Sequence, residues 1–340
     1  LEDWTLQWWN QLDVSAQRET RQSVVDLVGV HPELFESNRA VRSKLSKILA
    51  EIAKRQYPQE WPEFLEIIIQ IWSASDGKAE IAIMTLEFLI EDCLDSDFNH
   101  CLPAQRRQDI IVAVRVHLEP LLVHAYEFLG RMVGLHGAAA ENSPGAQTAG
   151  SLGKSVLRMV NALFLLDKPE VVCAPNHNFA AVLPQLMAAA AHREEGAALL
   201  NKLSNHRLTS ELFLGLVMTV PVAIGAVPQE DDLLVLYSSL GESVFDLLAT
   251  NFESCVTDKF LADPGQASAL REYFDFAATL LNHPSKRLLQ CAARSLTRVL
   301  REPMAEENKL PYLPFFVERC LQVYSARVVK PPLVNGQLAD

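Results

Sequence analysis

Two rows of like charge are the chemistry this chain offers. Glu80, Glu87 and Glu91 recur at spacings of seven and four on an expected helix over residues 77–94, so they share one side of it. Asp92, Asp95 and Asp97 carry the negative run past its end. Acidic groups at a helix C-terminus oppose the macrodipole, at about 0.3–1 kcal/mol each when exposed, and that placement points to a basic partner. The second row has the opposite sign. Arg287, Arg294, Arg298 and Arg301 follow one another at seven, four and three along residues 284–301, with Leu288, Ala292 and Leu296 on the other face. A line of guanidinium groups suits phosphates or acidic side chains. Smaller basic groups occur at Arg106 with Arg107 and at Lys154 with Arg158. Each row also fits an ordinary solvated helix face, the usual place for charge.

Catalysis finds no comparable support. No serine sits in a GxSxG elbow, and no catalytic residue is expected. The nine histidines are dispersed; His117 and His124 are seven apart, whereas helical metal ligands come three or four apart, and His100 beside Cys101 supplies only two ligand types. SLGKS at 151–155 lacks the upstream glycine of a phosphate-binding loop. The six cysteines form no CxxC pair, which disfavours zinc and indicates a reducing compartment. No metal and no cofactor are expected. The formal charge of -12 opposes indiscriminate polyanion binding, so any nucleic-acid contact must be local. The longest apolar run, 212–227, is too short to span a bilayer and contains Pro221 and Gly225, so it reads as a buried helix rather than a membrane insertion.

The elements that must carry these charges are helices. Abundant Ala and Leu, only 14 glycines and the scarcity of alternating β-branched runs favour an all-α chain. Apolar periodicity places helices near 3–12, 15–30, 38–56, 62–73, 77–94, 104–135, 152–166, 178–191, 194–203, 209–220, 230–250, 266–282, 284–301 and 311–325. Neighbours joined by short breaks pair as antiparallel hairpins, and pairs in series make an α-solenoid with a period near 40 residues. Pro58 and Pro62 stop one helix and start the next, and Trp61 between them is expected to plug the groove between two helices. The Gly-, Ala- and Ser-rich stretch 136–153 is expected to be a flexible loop within a repeat. Residues 1–135 and 154–326 then form the two blocks of repeats, followed by a linker-like tail at 327–340. A start at Leu1 within a helical pattern suggests a piece of a longer polypeptide.

Three stretches, IAKRQYPQEWPEFLEI, EFLIEDCLDSD and LPAQRRQDI, in this order and separation, resemble the exportin-1-like segment of the importin-β superfamily of nuclear transport receptors. The WP turn is shared across the superfamily, while the acidic ED followed by LPxQRRxDI resembles its exportin-5 branch. The later HPS turn at 283–285, followed by a leucine-rich helix, resembles a HEAT repeat.

The resemblance implies a right-handed superhelix of HEAT/ARM-like repeats that binds the GTP-bound GTPase Ran together with cargo, catalyses nothing itself, and shuttles between nucleus and cytoplasm through contacts with nucleoporins. Cargo in that branch is structured RNA, such as pre-microRNA hairpins and sometimes tRNA, or protein. In such solenoids the second helix of each pair lines the concave surface. The resemblance therefore makes Glu80, Glu87, Glu91, Asp92 and Asp95 candidates for contact with Ran or a protein partner. It makes Arg106, Arg107, Arg287, Arg294, Arg298 and Arg301 candidates for RNA or an acidic partner. Two other readings remain: an importin-β-type receptor for protein cargo, and a HEAT scaffold for a kinase or phosphatase complex.

Overall fold

Local capping chemistry starts most of the long helices. In this computed structural model, which describes residues 9–31, 38–94, 102–140, 143–164, 169–227 and 262–282 with scattered positions elsewhere, Asp13 accepts from Ala16 N at 2.8 Å to open α1 (Val14–Val30). Asn38 does the same for α2 (Arg39–Gln56), accepting from Ala40 N at 3.0 Å. Each cap satisfies an amide that the first turn leaves without an intrahelical partner. After the turn that holds Trp61 come α3 (Phe64–Ala74) and α4 (Asp76–Leu94), separated by Ser75 alone. So short a link forces the two helices antiparallel.

Further along lie α5 (Ala104–Val116), α6 (Leu118–Ala138), α7 (Pro144–Leu163) and a single turn, α8 (Pro169–Val172). The expected continuous helix 104–135 breaks at His117. Pro120 has no amide to give to the Val116 carbonyl and its ring crowds that position, so the chain restarts as α6.

The expected loop at 136–153 is corrected: α6 runs on to Ala138, and Ser143 and Pro144 open a 20-residue helix. Ser143 Oγ accepts from Ala146 N at 3.2 Å and Pro144 occupies the first turn, where its missing donor costs nothing. Ala146, Ala149, Gly150, Leu152, Gly153, Val156 and Val160 then form one buried face. The small residues are a helix-packing surface, and Ser151–Ser155 lie inside the helix rather than in any phosphate-binding loop.

The chain divides into two compact units, Leu1–Phe179 and Ala180–Asp340. In the first unit α1 pairs with α2, α3 with α4 and α6 with α7, while α2, α4 and α7 stack in succession. This is an all-α, HEAT-like stack of helix pairs with a layer of first helices and a layer of second helices. Trp61 is 1% exposed, edge-on to Phe64 at 4.9 Å and under the Arg21 guanidinium at 5.2 Å, which is the plug expected from sequence. The Tyr57–Pro58 bond beside it is cis.

In the second unit, described by itself, α9 (Leu183–Ala188) packs on α10 (Ala190–Ser204) and α11 (Ser210–Gly225), and α11 on α12 (Pro264–Thr279). The helix break falls at Ala189 instead of 192–193, within an alanine run that carries no breaker to mark it. Gly196 lies where an added Cβ would meet Leu186 Cβ at 3.0 Å, so α9 and α10 approach closely there. The Asn251 amide accepts from Leu208 N at 2.8 Å and donates to the His206 carbonyl at 3.3 Å, fixing the link before α11. The tail expected to lack structure carries a short antiparallel pairing, β1 (Leu333–Val334) with β2 (Gln337–Leu338). The expected helices at 230–250, 284–301 and 311–325 and the HPS turn fall mostly or wholly outside the described residues.

Candidate functional site

Charge holds the layer of second helices together. Glu80 of α4 is 3% exposed, and two arginines of α2 close on it: Arg39 Nε donates to Oε1 at 2.9 Å and Arg42 Nε to Oε2 at 2.5 Å. Buried hydroxyls continue the seam, Ser46 Oγ donating to the Ile81 carbonyl at 3.0 Å and Thr85 Oγ1 to that of Ser46 at 3.5 Å. At the other end Lys54 Nζ donates to Glu51 and, at 2.8 Å, to Asp92 Oδ2, while Arg55 Nη1 holds the second Glu51 oxygen at 2.7 Å. Burial pushes the Lys54 ammonium down, but its hydrogen bonds to Asp92 and Glu51 outweigh that and leave it above the ordinary 10.5.

This arrangement redirects the acidic row. Glu80 is a lock between α2 and α4 rather than a side chain left for a basic partner. Asp92, whose place at a helix C-terminus looked unfavourable, is answered by Lys54 from the neighbouring α2. Of the row, Glu87 stays half-buried and Glu91 exposed. Asp95 and Asp97 lie outside the described residues, as do Arg287, Arg294, Arg298 and Arg301.

Arg106 is also committed within the chain. Its Nε donates to the Lys54 carbonyl at 3.0 Å, in the last turn of α2, and its Nη1 to Gln59. Burial lowers its pKa, against the pull of Asp109 and Glu60. Arg106 Nη2 and Arg107 Nε are enclosed without a hydrogen-bond partner, although both side chains are partly exposed. The use of a cation from one helix on a carbonyl near the end of another recurs: Lys78 Nζ donates to Gly29 O at 2.7 Å and Arg115 Nε to Leu166 O, just past α7, at 2.6 Å. Such pairs satisfy the acceptors that helix ends leave open.

Two openings lie across α2, α4 and α7. One, of about 550 Å³, is lined by Arg42, Asp76, Glu80, Gln147, Thr148 and Ser151, all from the N-terminal halves of their helices, so the three helices run parallel. The other, of about 390 Å³, has Ala40, Met84 and Phe88 beside Arg39, Glu87 and Arg158. Lys47 Nζ lies 5.5 Å over the Phe88 ring. Sequence reasoning named Glu87 and Arg158 here but missed Arg39, Lys47 and Phe88. The signal was available: opposite charges one repeat apart, at sequence separations of 41 for Arg39–Glu80 and 38 for Lys54–Asp92.

Among the described residues no group of three or more His, Cys, Asp and Glu side chains could hold a metal ion, and no helix is long and apolar enough to cross a membrane. Cys93 is buried, and burial pushes its thiol up to about 12.

Residues 38–196 match the family described as Exportin 1-like protein, a span that contains every residue of the seam and of both openings. Exportin-5 of Dictyostelium discoideum is 24% identical over 138 residues, 40% of this chain and 12% of that protein. Exportin-5 of Mus musculus is 27% identical over 115 residues, 34% of the chain and 9% of the mouse protein. Protein HASTY 1 of Arabidopsis thaliana is 28% identical over 110 residues, 32% of the chain and 9% of its own length. The chain thus carries an exportin-1-like, exportin-5-similar segment, and the matched stretches span 9% to 12% of these relatives.

Proposed function

We propose that this chain is part of a karyopherin-type nuclear export receptor that binds Ran-GTP and cargo on the layer formed by α2, α4 and α7. One observation carries the reading: the exportin-1-like match, residues 38–196, covers the stacked helices from α2 to α7 and includes the whole of that layer. Binding of the two partners is linked. Ran-GTP and cargo each favour the same spacing of the stacked pairs, so each raises affinity for the other. GTP hydrolysis on Ran then releases both, and the receptor shuttles between nucleus and cytoplasm past nucleoporins. Cargo is structured double-stranded RNA of the pre-microRNA type, read by A-form shape and phosphates, with the arginine row 287–301 as its contact in this chain.

A second reading, an importin-β-type receptor for protein cargo, gains from Arg106. That side chain is spent on Lys54 O and Gln59 rather than held for phosphate. Capture of GTP-locked Ran, with and without hairpin RNA, tests the proposal on the longest natural polypeptide containing these 340 residues. Ran binding strengthened by the hairpin is the expected result; no Ran binding in either condition refutes it. Steep loss of RNA affinity with salt, with a smaller slope in Arg294→Ala with Arg298→Ala, separates RNA from protein cargo.

A further inference from the structure

The groove beside Met84 and Phe88 has a charge pattern opposite to that expected from the acidic row. Its charged lining is two guanidinium groups, Arg39 and Arg158, against one carboxylate, Glu87. Lys47 adds a third cation above Phe88. The pattern arises because the seam withdraws Glu80 from the surface. Glu80 keeps 4% of its side chain exposed while Arg39, bound to it through Nε, keeps 58%. So the lock buries its negative end and presents its positive one. This happens on a chain whose formal charge is -12, where the background field repels anions.

We infer that this groove docks an acidic segment of a partner protein, one that seats an apolar side chain on Met84 and Phe88 and sets carboxylates against Arg39, Lys47 and Arg158. Arg39 and Lys47 belong to α2 and Arg158 to α7, so the cations stand on both sides of the apolar floor on α4. An apolar anchor with charged groups around it is the usual anatomy of a specific protein contact. A volume of about 390 Å³ admits side chains rather than a folded domain. The inference rests on the proposed partner-binding role of this helix layer and states the chemistry of what docks there.

The test is fluorescence anisotropy with the 340-residue chain and three labelled helical peptides. They share one apolar stripe at i, i+3 and i+4 and differ only in flanking Glu, Gln or Lys. The Glu peptide should bind at least about tenfold more tightly than the Lys peptide, and more weakly as salt rises. Arg158→Glu and Lys47→Glu, both away from the Glu80 lock, should each abolish that preference. Phe88→Ser should weaken the Glu and Gln peptides alike. Preference for the Lys peptide, equal binding of all three, or an unchanged preference in Arg158→Glu overturns the inference. Tighter binding of a short RNA duplex that Arg158→Glu removes overturns it in favour of nucleic acid. The longest natural polypeptide containing these residues is probed with the same peptides and with GTP-locked Ran. Peptide preference without Ran binding leaves the groove standing and refutes the transport reading; Ran binding without peptide preference does the reverse.

Discussion

The two layers of the N-terminal unit are joined by opposite chemistry. Between first helices the joint is aromatic: Trp72 of α3 stands edge-on to His124 at 4.7 Å and to Phe128 at 5.7 Å, both on α6. Between second helices it is ionic, with Glu80 between Arg39 and Arg42 and Lys54 between Glu51 and Asp92. Ring burial supplies free energy with little demand on register, whereas buried ion pairs return little net energy after desolvation and tolerate only one alignment. The difference assigns stability to one layer and alignment of successive repeats to the other, the layer proposed to meet partners.

The largest effect that can break this comparison is on the aromatic side. Trp72→Ala removes a side chain 1% exposed and should cost about 3–5 kcal/mol in urea unfolding. A loss below that of the ionic variants would reverse the assignment. Glu80→Gln comes next, at about 2–3 kcal/mol. It takes the carboxylate from Arg42, whose side chain is 14% exposed and keeps its bond to the Phe35 carbonyl at 2.9 Å, while Arg39 turns to water and softens the loss. Replacing the pair together, Glu80→Leu with Arg42→Met, should recover most of that stability yet weaken Ran capture, because alignment is no longer specified. Full capture by the double variant would show that the lock sets no register.

Sequence patterns made the helix pairs legible wherever apolar periodicity was strong, as in α1 to α4, and the flanking prolines together with the usual burial of a large ring placed Trp61 correctly. They failed at α7 because Gly, Ala and Ser signal a loop by composition and a packing face by position, and only the partner helices decide between the two. They half-failed at Glu80 for a related reason. A spacing of seven and four shows that residues share a side of a helix but not which element covers that side. Ser143→Ala measures the first failure directly: the α7 cap predicts a loss of about 1 kcal/mol, and a flexible loop predicts none.

The smallest effects separate the layers by pH, and they should appear at opposite ends of the scale. Lys54 is held above its ordinary value, so its contribution is complete below 10.5 and fades as pH rises through the folded-state value. Lys54→Met should remove that alkaline loss. His124 behaves in the other sense. Its imidazole is pushed below 6.5 by burial, against the raising effect of Glu127 and with a further lowering by Arg131, and its enclosed Nε2 has no hydrogen-bond partner. Below 6.5 the unfolded chain therefore takes up a proton that the folded chain resists, and stability falls until the folded imidazole also titrates. Other groups titrate in the same range, so the informative quantity is the difference between the chain and His124→Leu in urea midpoints at about pH 7.5 and about pH 5.5. The variant should lose less on acidification. Trp72 fluorescence should change with pH only when His124 is present, since the ring edge is in contact with the imidazole. An equal acid loss in both proteins would remove His124 from the account and leave the aromatic joint without a titrating member among the pairs described.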